Sequence, residues 1–202
     1  MIKKIRASIS EKILLIFLMI LAIVSLTSYI IIKNKCLFVK NYNPNDIQFN
    51  NPQNIAILNA PCGNVIIELY PDVSPNAVER FKTLIRTNRY DGVAFHRVIE
   101  NKLIQAGDLE FGRRNSLDYG KIGTGQSGLG TINSELESEF NFTKGSVGLA
   151  RTFKNNTDDS HFFIILADEP LYEGEYTPIG RVIFGIKFFS KINFLNYSEY
   201  IL

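Results

Sequence analysis

Phe95-His96-Arg97-Val98-Ile99-Glu100-Asn101-Lys102-Leu103-Ile104-Gln105-Ala106-Gly107-Asp108 is the stretch on which the reading of this chain turns. Glu100-Asn101 separates two short apolar runs, so the segment predicts two strands joined by a turn. Side chains alternate across a strand, which sends Arg97 and Gln105 to one concave sheet surface. The expected result is a site with two polar anchors in an apolar wall.

The same periodicity recurs on both sides of this block. Ile55 and Ile57 alternate with Asn54, Ala56 and Asn59; after Pro61-Cys62-Gly63-Asn64, Val65, Ile67 and Leu69 alternate with Ile66, Glu68 and Tyr70. This predicts a hairpin with one face in a core. Ser74-Pro75 offers an N-cap and a first-turn proline, and Val78, Phe81, Leu84 and Ile85 follow at helical spacing, predicting a helix from Pro75 to about Thr87. Further strand-like runs cover residues 146–151, 161–166 and 179–184, separated by segments rich in Gly, Asn, Asp and Pro. Phe188, Phe189 and Ile192 share one helical face in a last segment, Ile186 to Leu195, which reads as a second helix plugging an open end of the sheet. Many short strands and few helices argue for a closed sheet or sandwich rather than a βαβ protein.

The first forty residues follow different rules. Ile13 to Ile32 carries no charge over 20 residues, enough for a helix to cross a hydrocarbon layer roughly 30 Å thick. A cleaved signal peptide is the competing reading, but Ser25-Leu26-Thr27-Ser28 is a poor cleavage site and more apolar residues follow it. The reading adopted is a retained anchor: a cytoplasmic tail (1–12), a transmembrane signal anchor (13–32), a polar linker (33–53) and a folded domain (54–202). Lys3, Lys4, Arg6 and Lys12 before the span narrowly outweigh Lys33, Lys35 and Lys40 after it, placing the domain on the far side of the membrane. Residues 1–40 hold seven Lys and Arg against Glu11 alone, so the remainder carries 15 against 19 Asp and Glu, a net of about −4 behind the formal +2. A mildly acidic folded part gives no reason to expect nucleic acid as a partner.

Several motifs are set aside. Gly123-Thr124-Gly125-Gln126-Ser127-Gly128 fits the glycine string of dinucleotide-binding loops, yet that loop must open a helix, and Gly120, Gly130 and Thr131 around it leave no helix to open. A flexible irregular loop is the expectation. Cys36 and Cys62 are too few for a disulfide framework or a metal site; a bridge between them remains open in an oxidising compartment. His96 and His161, the only histidines, lack the acidic or cysteine cluster that a metal site needs. Asn-x-Ser/Thr at Asn141, Asn155 and Asn196 is near chance in so Asn-rich a chain.

The central block resembles the signature of the cyclophilin-type peptidyl-prolyl isomerases, in which FHRVI is followed after a turn by a Q-x-G-D run. Tyr90-Asp91-Gly92, Gly145-Ser146-Val147-Gly148-Leu149-Ala150-Arg151, Ser160-His161-Phe162-Phe163-Ile164 and Tyr176-Thr177-Pro178-Ile179-Gly180-Arg181-Val182 fall where that family has its other motifs. The resemblance implies a mainly-β fold, an eight-stranded antiparallel barrel capped by two helices, here preceded by one N-terminal transmembrane helix. It implies isomerisation of X-Pro bonds in proline-containing polypeptides, with no cofactor, no metal and no covalent intermediate. Arg97 matches the catalytic arginine, Gln105 the amide that contacts substrate backbone, and Phe163 the floor of the proline pocket. His96, Lys102, Leu103, Ala150, Arg151, His161, Leu171, Tyr172 and Tyr176 match substrate-facing positions. Lys102 replaces a large apolar residue, His161 a glutamine, Leu171 an aromatic and Ile179 a phenylalanine, and these departures keep open a fold-retaining binding or chaperone module with little turnover. Arg151 after Ala150 and the insertion before Ser160 look like bacterial members, which implies an inner-membrane protein with its domain in the periplasm; secretion after signal cleavage is the alternative.

Overall fold

The computed structural model describes residues 8–33, 43–60, 63–137 and 139–191. Cys36, Cys62 and Asn196 lie outside them. The chain divides into two compact units, Met1–Phe38 and Val39–Leu202.

The described residues of the first unit form the helix α1 (Ile9–Lys33), which begins earlier than the charge-free run. A capping box accounts for the earlier start: Glu11 N donates to Ser8 Oγ at 3.3 Å and Ser8 N donates to the Glu11 carboxylate at 2.7 Å, so two orphan amides are satisfied reciprocally. Ile9–Ile31 has a mean hydropathy of 2.7 and none of it is buried. It is long and apolar enough to cross a membrane, and a signal sequence would share those properties.

The second unit is a curled antiparallel sheet. Its strands are β1 (Ile55–Ala60), β2 (Gly63–Leu69), β3 (Arg97–Ile99), β4 (Leu103–Ala106), β5 (Ser146–Leu149), β6 (Phe162–Ile165) and β7 (Pro178–Phe184), in the spatial order β1-β2-β7-β5-β6-β4-β3. These are the seven runs read from the sequence; the eighth strand that the resemblance implied has no counterpart among the described residues. In β1 the buried residues are Ala56 and Leu58, whereas Ile57 is 47% exposed, the reverse of the expected face. Register is the cause, because Ala56 pairs with Ile67 and Leu58 with Val65, and paired residues share a face. The inward positions of β2 thus dictate which side of β1 is buried.

One helix, α2 (Pro75–Arg86), lays Ala77, Val78, Phe81 and Leu84 on the core. Ser74 precedes it but does not cap it: its buried hydroxyl has no partner. Glu135, from a distant loop, accepts instead from Asn76 N at 3.2 Å and Ala77 N at 2.9 Å, placing a carboxylate on the helix N-terminus. The expected second helix is a 3-10 segment, Ile186–Lys191, entered through Gly185 at φ +87. It buries Phe188 and Phe189, while the expected helix beyond Lys191 lies outside the described residues.

Inside the sheet, Phe162 meets Phe81 edge-to-face at 5.2 Å, and Phe95 meets Phe189 at 5.6 Å. Val98, Ile104, Ile164 and Val147, paired across four strands, face this core, so their sequence neighbours must point to the opposite side. That opposite side carries the site.

Candidate functional site

Register alone aligns four residues there. Arg97 pairs with Gln105, Gln105 with Phe163, and Phe163 with Gly148, forming one row across β3, β4, β6 and β5. The row lies on the face turned away from the core, rather than on the concave surface expected for Arg97 and Gln105. Arg97 is exposed and donates through Nη1 to Gln105 Oε1 at 3.2 Å, which aims the guanidinium along the row.

Phe163 is only 3% exposed, although it faces away from the main core. A second cluster explains this: Phe163, Phe142 and Ile165 are buried together, with Phe140, Ala150, Tyr172 and Tyr176 packed around them. Tyr172 and Tyr176 meet the Phe163 ring edge-on at 5.6 and 5.2 Å. Aromatic edges on an aromatic ring make a firm, apolar pocket wall. Leu103, paired with Ile165, is buried on the same face.

The cationic positions are mostly paired. Lys102 Nζ lies 3.2 Å from Glu169 Oε1 and 5.9 Å from the centroid of the Tyr172 ring. Arg151 donates to the Glu175 carboxylate at 3.0 Å and to Glu175 O at 2.9 Å, with its guanidinium over the Tyr176 ring. Lys102 and Arg151 each have a carboxylate partner, whereas the side-chain partner of Arg97 is the neutral amide of Gln105.

Beside the aromatic pocket lies a cleft of about 520 Å³, which Gln105, Ala150, Arg151, His161 and Tyr176 line together with Gly123 to Gln126. The glycine string leaves no strand and opens no helix, and it is pinned rather than loose. Asp108 accepts from Gly123 N at 2.7 Å and Gly125 N at 3.1 Å, and also from Glu110 N and Phe111 N. Burial pushes the Asp108 carboxyl up, but the amides of Phe111, Gly125 and Gly123 outweigh it and hold the group below its ordinary value. The far end of the loop hangs on Asp159, which accepts from Ser127 N and Oγ and pairs with Arg80 of α2 at 2.5 Å. His161 Nε2 donates to Gly125 O at 2.8 Å, which fixes its tautomer.

Arg97, Leu103, Gln105, Ala150, Phe163, Tyr172 and Tyr176 are therefore brought together, with Arg151 and His161 at the adjoining cleft and Lys102 at the rim. Two expected positions stand apart. Leu171 is 83% exposed on a 3-10 turn. His96 sits behind the cleft, its ring 5.1 Å from that of His161 and neither nitrogen hydrogen-bonded. Phe142, Gly148 and Asp108 were not singled out for the site; a mid-strand glycine at 148 was the available signal of a close approach. Among the described residues no three His, Cys, Asp or Glu converge as metal ligands.

Residues 55–200 match the family model for the cyclophilin type peptidyl-prolyl cis-trans isomerase. The chain belongs to that family. A probable peptidyl-prolyl cis-trans isomerase of Brucella suis is 40% identical to this cyclophilin over 142 residues, 70% of this chain and 72% of the relative. The fission yeast peptidyl-prolyl cis-trans isomerase ppi1 is 34% identical over 133 residues, 64% of this chain and 78% of its own. Among solved structures, a Cryptosporidium parvum cyclophilin crystallised in the presence of the dipeptide Ala-Pro superposes with a TM-score of 0.57 at 26% identity, covering 66% of this chain and 80% of that one. Cyclophilin AquaCyp293 from Hirschia baltica shares the fold, with a TM-score of 0.59 at 20% identity over 76% of this chain and 75% of its own. The cyclophilin here is thus an isomerase of X-Pro bonds by family, on a mainly-β scaffold.

Proposed function

We propose that Arg97, Gln105 and Phe163 carry the isomerisation. The observation behind this is their single cross-strand row, with Arg97 hydrogen-bonded to Gln105 beside a pocket floored by Phe163. Rotation about the imide must break amide resonance, a barrier of about 18–20 kcal/mol, and uncatalysed X-Pro exchange takes tens to hundreds of seconds. No bond is made or cut, so catalysis needs groups that bind the twisted amide better than either planar form. In the twisted state the prolyl nitrogen regains its lone pair, and the Arg97 guanidinium donates to it. A charge-assisted hydrogen bond of roughly 1.5–3 kcal/mol gives about one to two decades of rate. Phe163 with Leu103 holds the pyrrolidine ring, Gln105 holds the carbonyl before it, and Tyr172 and Tyr176 keep the ring's surroundings dry.

The polypeptides acted on contain proline, and α1 tethers the domain to a membrane, with linker 33–53 between them and the domain on the periplasmic side of a bacterial inner membrane. The length and hydropathy of Ile9–Ile31 support the anchor, and cleavage as a signal sequence is its rival. The mass of the mature chain separates the two.

Cis/trans exchange of an Ala-Pro peptide, followed with the full chain in detergent, tests the enzyme reading. Acceleration by wild type and its loss, by about ten- to a hundredfold, in Arg97→Ala is the expected result. Equal, negligible acceleration by both proteins overturns it. A second reading, a peptide-binding module with weak turnover, is favoured by the Lys102–Glu169 pair at the rim and by the outward Leu171. Titratable binding of proline peptides without any rate effect would select it.

A further inference from the structure

Tyr176 reaches the aromatic pocket from a stretch that the sheet holds only in part. Pro178, the first residue of β7, has no amide to give, and the β5–β7 ladder shifts register between Val147 and Gly148, beside the Gly148–Pro178 pair. Thr177, between that proline and Tyr176, is wholly buried and supplies anchors of its own. Its carbonyl accepts from Leu149 N at 2.9 Å. Its hydroxyl accepts from Glu135 N at 2.9 Å and donates to Asp158 Oδ2 at 2.5 Å.

Asp158 is wholly buried too, and its other carboxylate oxygen accepts from Ser134 Oγ at 3.2 Å. Its backbone carbonyl accepts from Ile132 N at 2.8 Å. Burial pushes the carboxyl up, and the Thr177 hydroxyl, the Ser134 hydroxyl and the Arg151 charge oppose this without overcoming it. Keeping a carboxylate in the interior on two hydroxyls stabilises a fold less than an apolar side chain of similar size would. What the carboxylate supplies instead is direction: with one donor and one acceptor, the Thr177 hydroxyl is fixed, and with it the backbone that carries Tyr176.

The Tyr176 ring stands edge-on to Phe163 at 5.2 Å and lies 4.8 Å from the Tyr172 ring, so its place sets the width of the pocket above the Phe163 floor. Arg97 and Gln105 stand on β3 and β4, outside this chain of hydrogen bonds. We infer that Asp158 is a positioning residue for the proline pocket, holding the Tyr176 ring beside Phe163 through the Thr177 hydroxyl. This rests on the proposed role of Phe163. The clamp acts on how firmly the pyrrolidine is held, and the twisting of the imide is left to Arg97 and Gln105.

The experiment uses the full chain in detergent with the peptide Gly-Ala-Pro-Gly and measures kcat, KM and Kd. Asp158→Asn and Thr177→Val, both close in shape to the residues they replace, should raise KM and Kd about five- to tenfold and leave kcat within about twofold, the signature of lost uniform binding. Thr177→Ser keeps the hydroxyl and should stay within about twofold of wild type in all three quantities. Placed on Tyr176→Ala, which has already lost the ring, Thr177→Val should raise Kd by less than about twofold more, because the two changes remove one interaction. A fall in kcat at unchanged KM, as a smaller folded fraction gives, overturns the inference. So do unchanged constants in Asp158→Asn, full additivity with Tyr176→Ala, or a Thr177→Ser that behaves like Thr177→Val. Should wild type not turn the peptide over, the enzyme reading fails separately, and the Kd values still decide the role of Asp158.

Discussion

Gly148 lies directly opposite Phe163 across β5 and β6, and the ring fills the space in which a side chain at 148 would begin. A Cβ at Gly148 would stand 2.6 Å from Phe163 Cζ and 3.1 Å from Phe142 Cε1. The pocket floor is therefore seated by the absence of one methyl group on the neighbouring strand.

Gly148→Ala is expected to push the Phe163 ring out of its seat and to cost about 1–3 kcal/mol of stability, the usual range for overpacking. Turnover of Ala-Pro peptides should fall with it. Adding Phe163→Leu should restore the urea midpoint without restoring turnover, because it frees space but removes the flat floor. Unchanged stability and activity in Gly148→Ala would show that the ring is not confined.

Asp108 invites a second test, since one carboxylate accepts four backbone amides and thereby hangs the Gly123–Gly125 wall on the end of the central block. In Asp108→Asn an NH2 group faces some of those donors, leaving them unpaired. The expected loss is about 2–4 kcal/mol, from one or two amides losing a charged acceptor. Hydrogen exchange should show reduced protection of the Gly123 and Gly125 amides. Full protection in the variant would contradict this account of the wall.

How far the sequence could be read depended on the range of the interaction involved. The hairpin of β3 and β4 was legible because a two-strand alternation around a short turn is local, and it carried Arg97 and Gln105 onto one face. Phe162 and Phe163 had to face opposite ways by strand geometry, and they do, one in each apolar cluster. The face of β1 was misread because Ile57 is more apolar than Ala56, while pairing with β2 decides burial. Ser74 looked like a helix cap, but the task fell to Glu135, some sixty residues away, which no local pattern announces. The glycine string was correctly denied a helix, yet its rigidity comes from Asp108 and Asp159, contacts of the same long-range kind.

Lys102 is the departure with the clearest physical consequence. Its ammonium, 42% exposed, pairs at 3.2 Å with a Glu169 carboxylate whose side chain is 15% exposed. Lys102→Phe leaves that carboxylate without its partner, a cost in fold stability, and extends the apolar wall beside Tyr172. Affinity for proline peptides should rise several-fold by titration, on the order of 1 kcal/mol for partial burial of an aromatic ring. An unchanged Kd would remove position 102 from the pocket.

His96 gives the domain a pH-dependent stability. Burial first, and the neighbouring His161 second, lower its pKa from 6.5 to about 4. The Asp108 charge and the Ala94 backbone oppose this lowering without overcoming it. The unfolded chain takes up a proton below about 6.5 that the folded chain refuses until about 4. The contribution is thus fully present above 6.5 and is lost as pH falls through that window, on the order of 3 kcal/mol in total. Asp158 acts in the opposite sense: burial raises its carboxyl, so the folded state gains that proton first and recovers some stability in acid. Asp108, held below its ordinary value, adds to the loss only at still lower pH. Urea midpoints of the full chain in detergent at pH 7.5 and pH 5 should differ clearly in wild type and much less in His96→Leu. Parallel losses in both proteins would mean that His96 is not the group responsible.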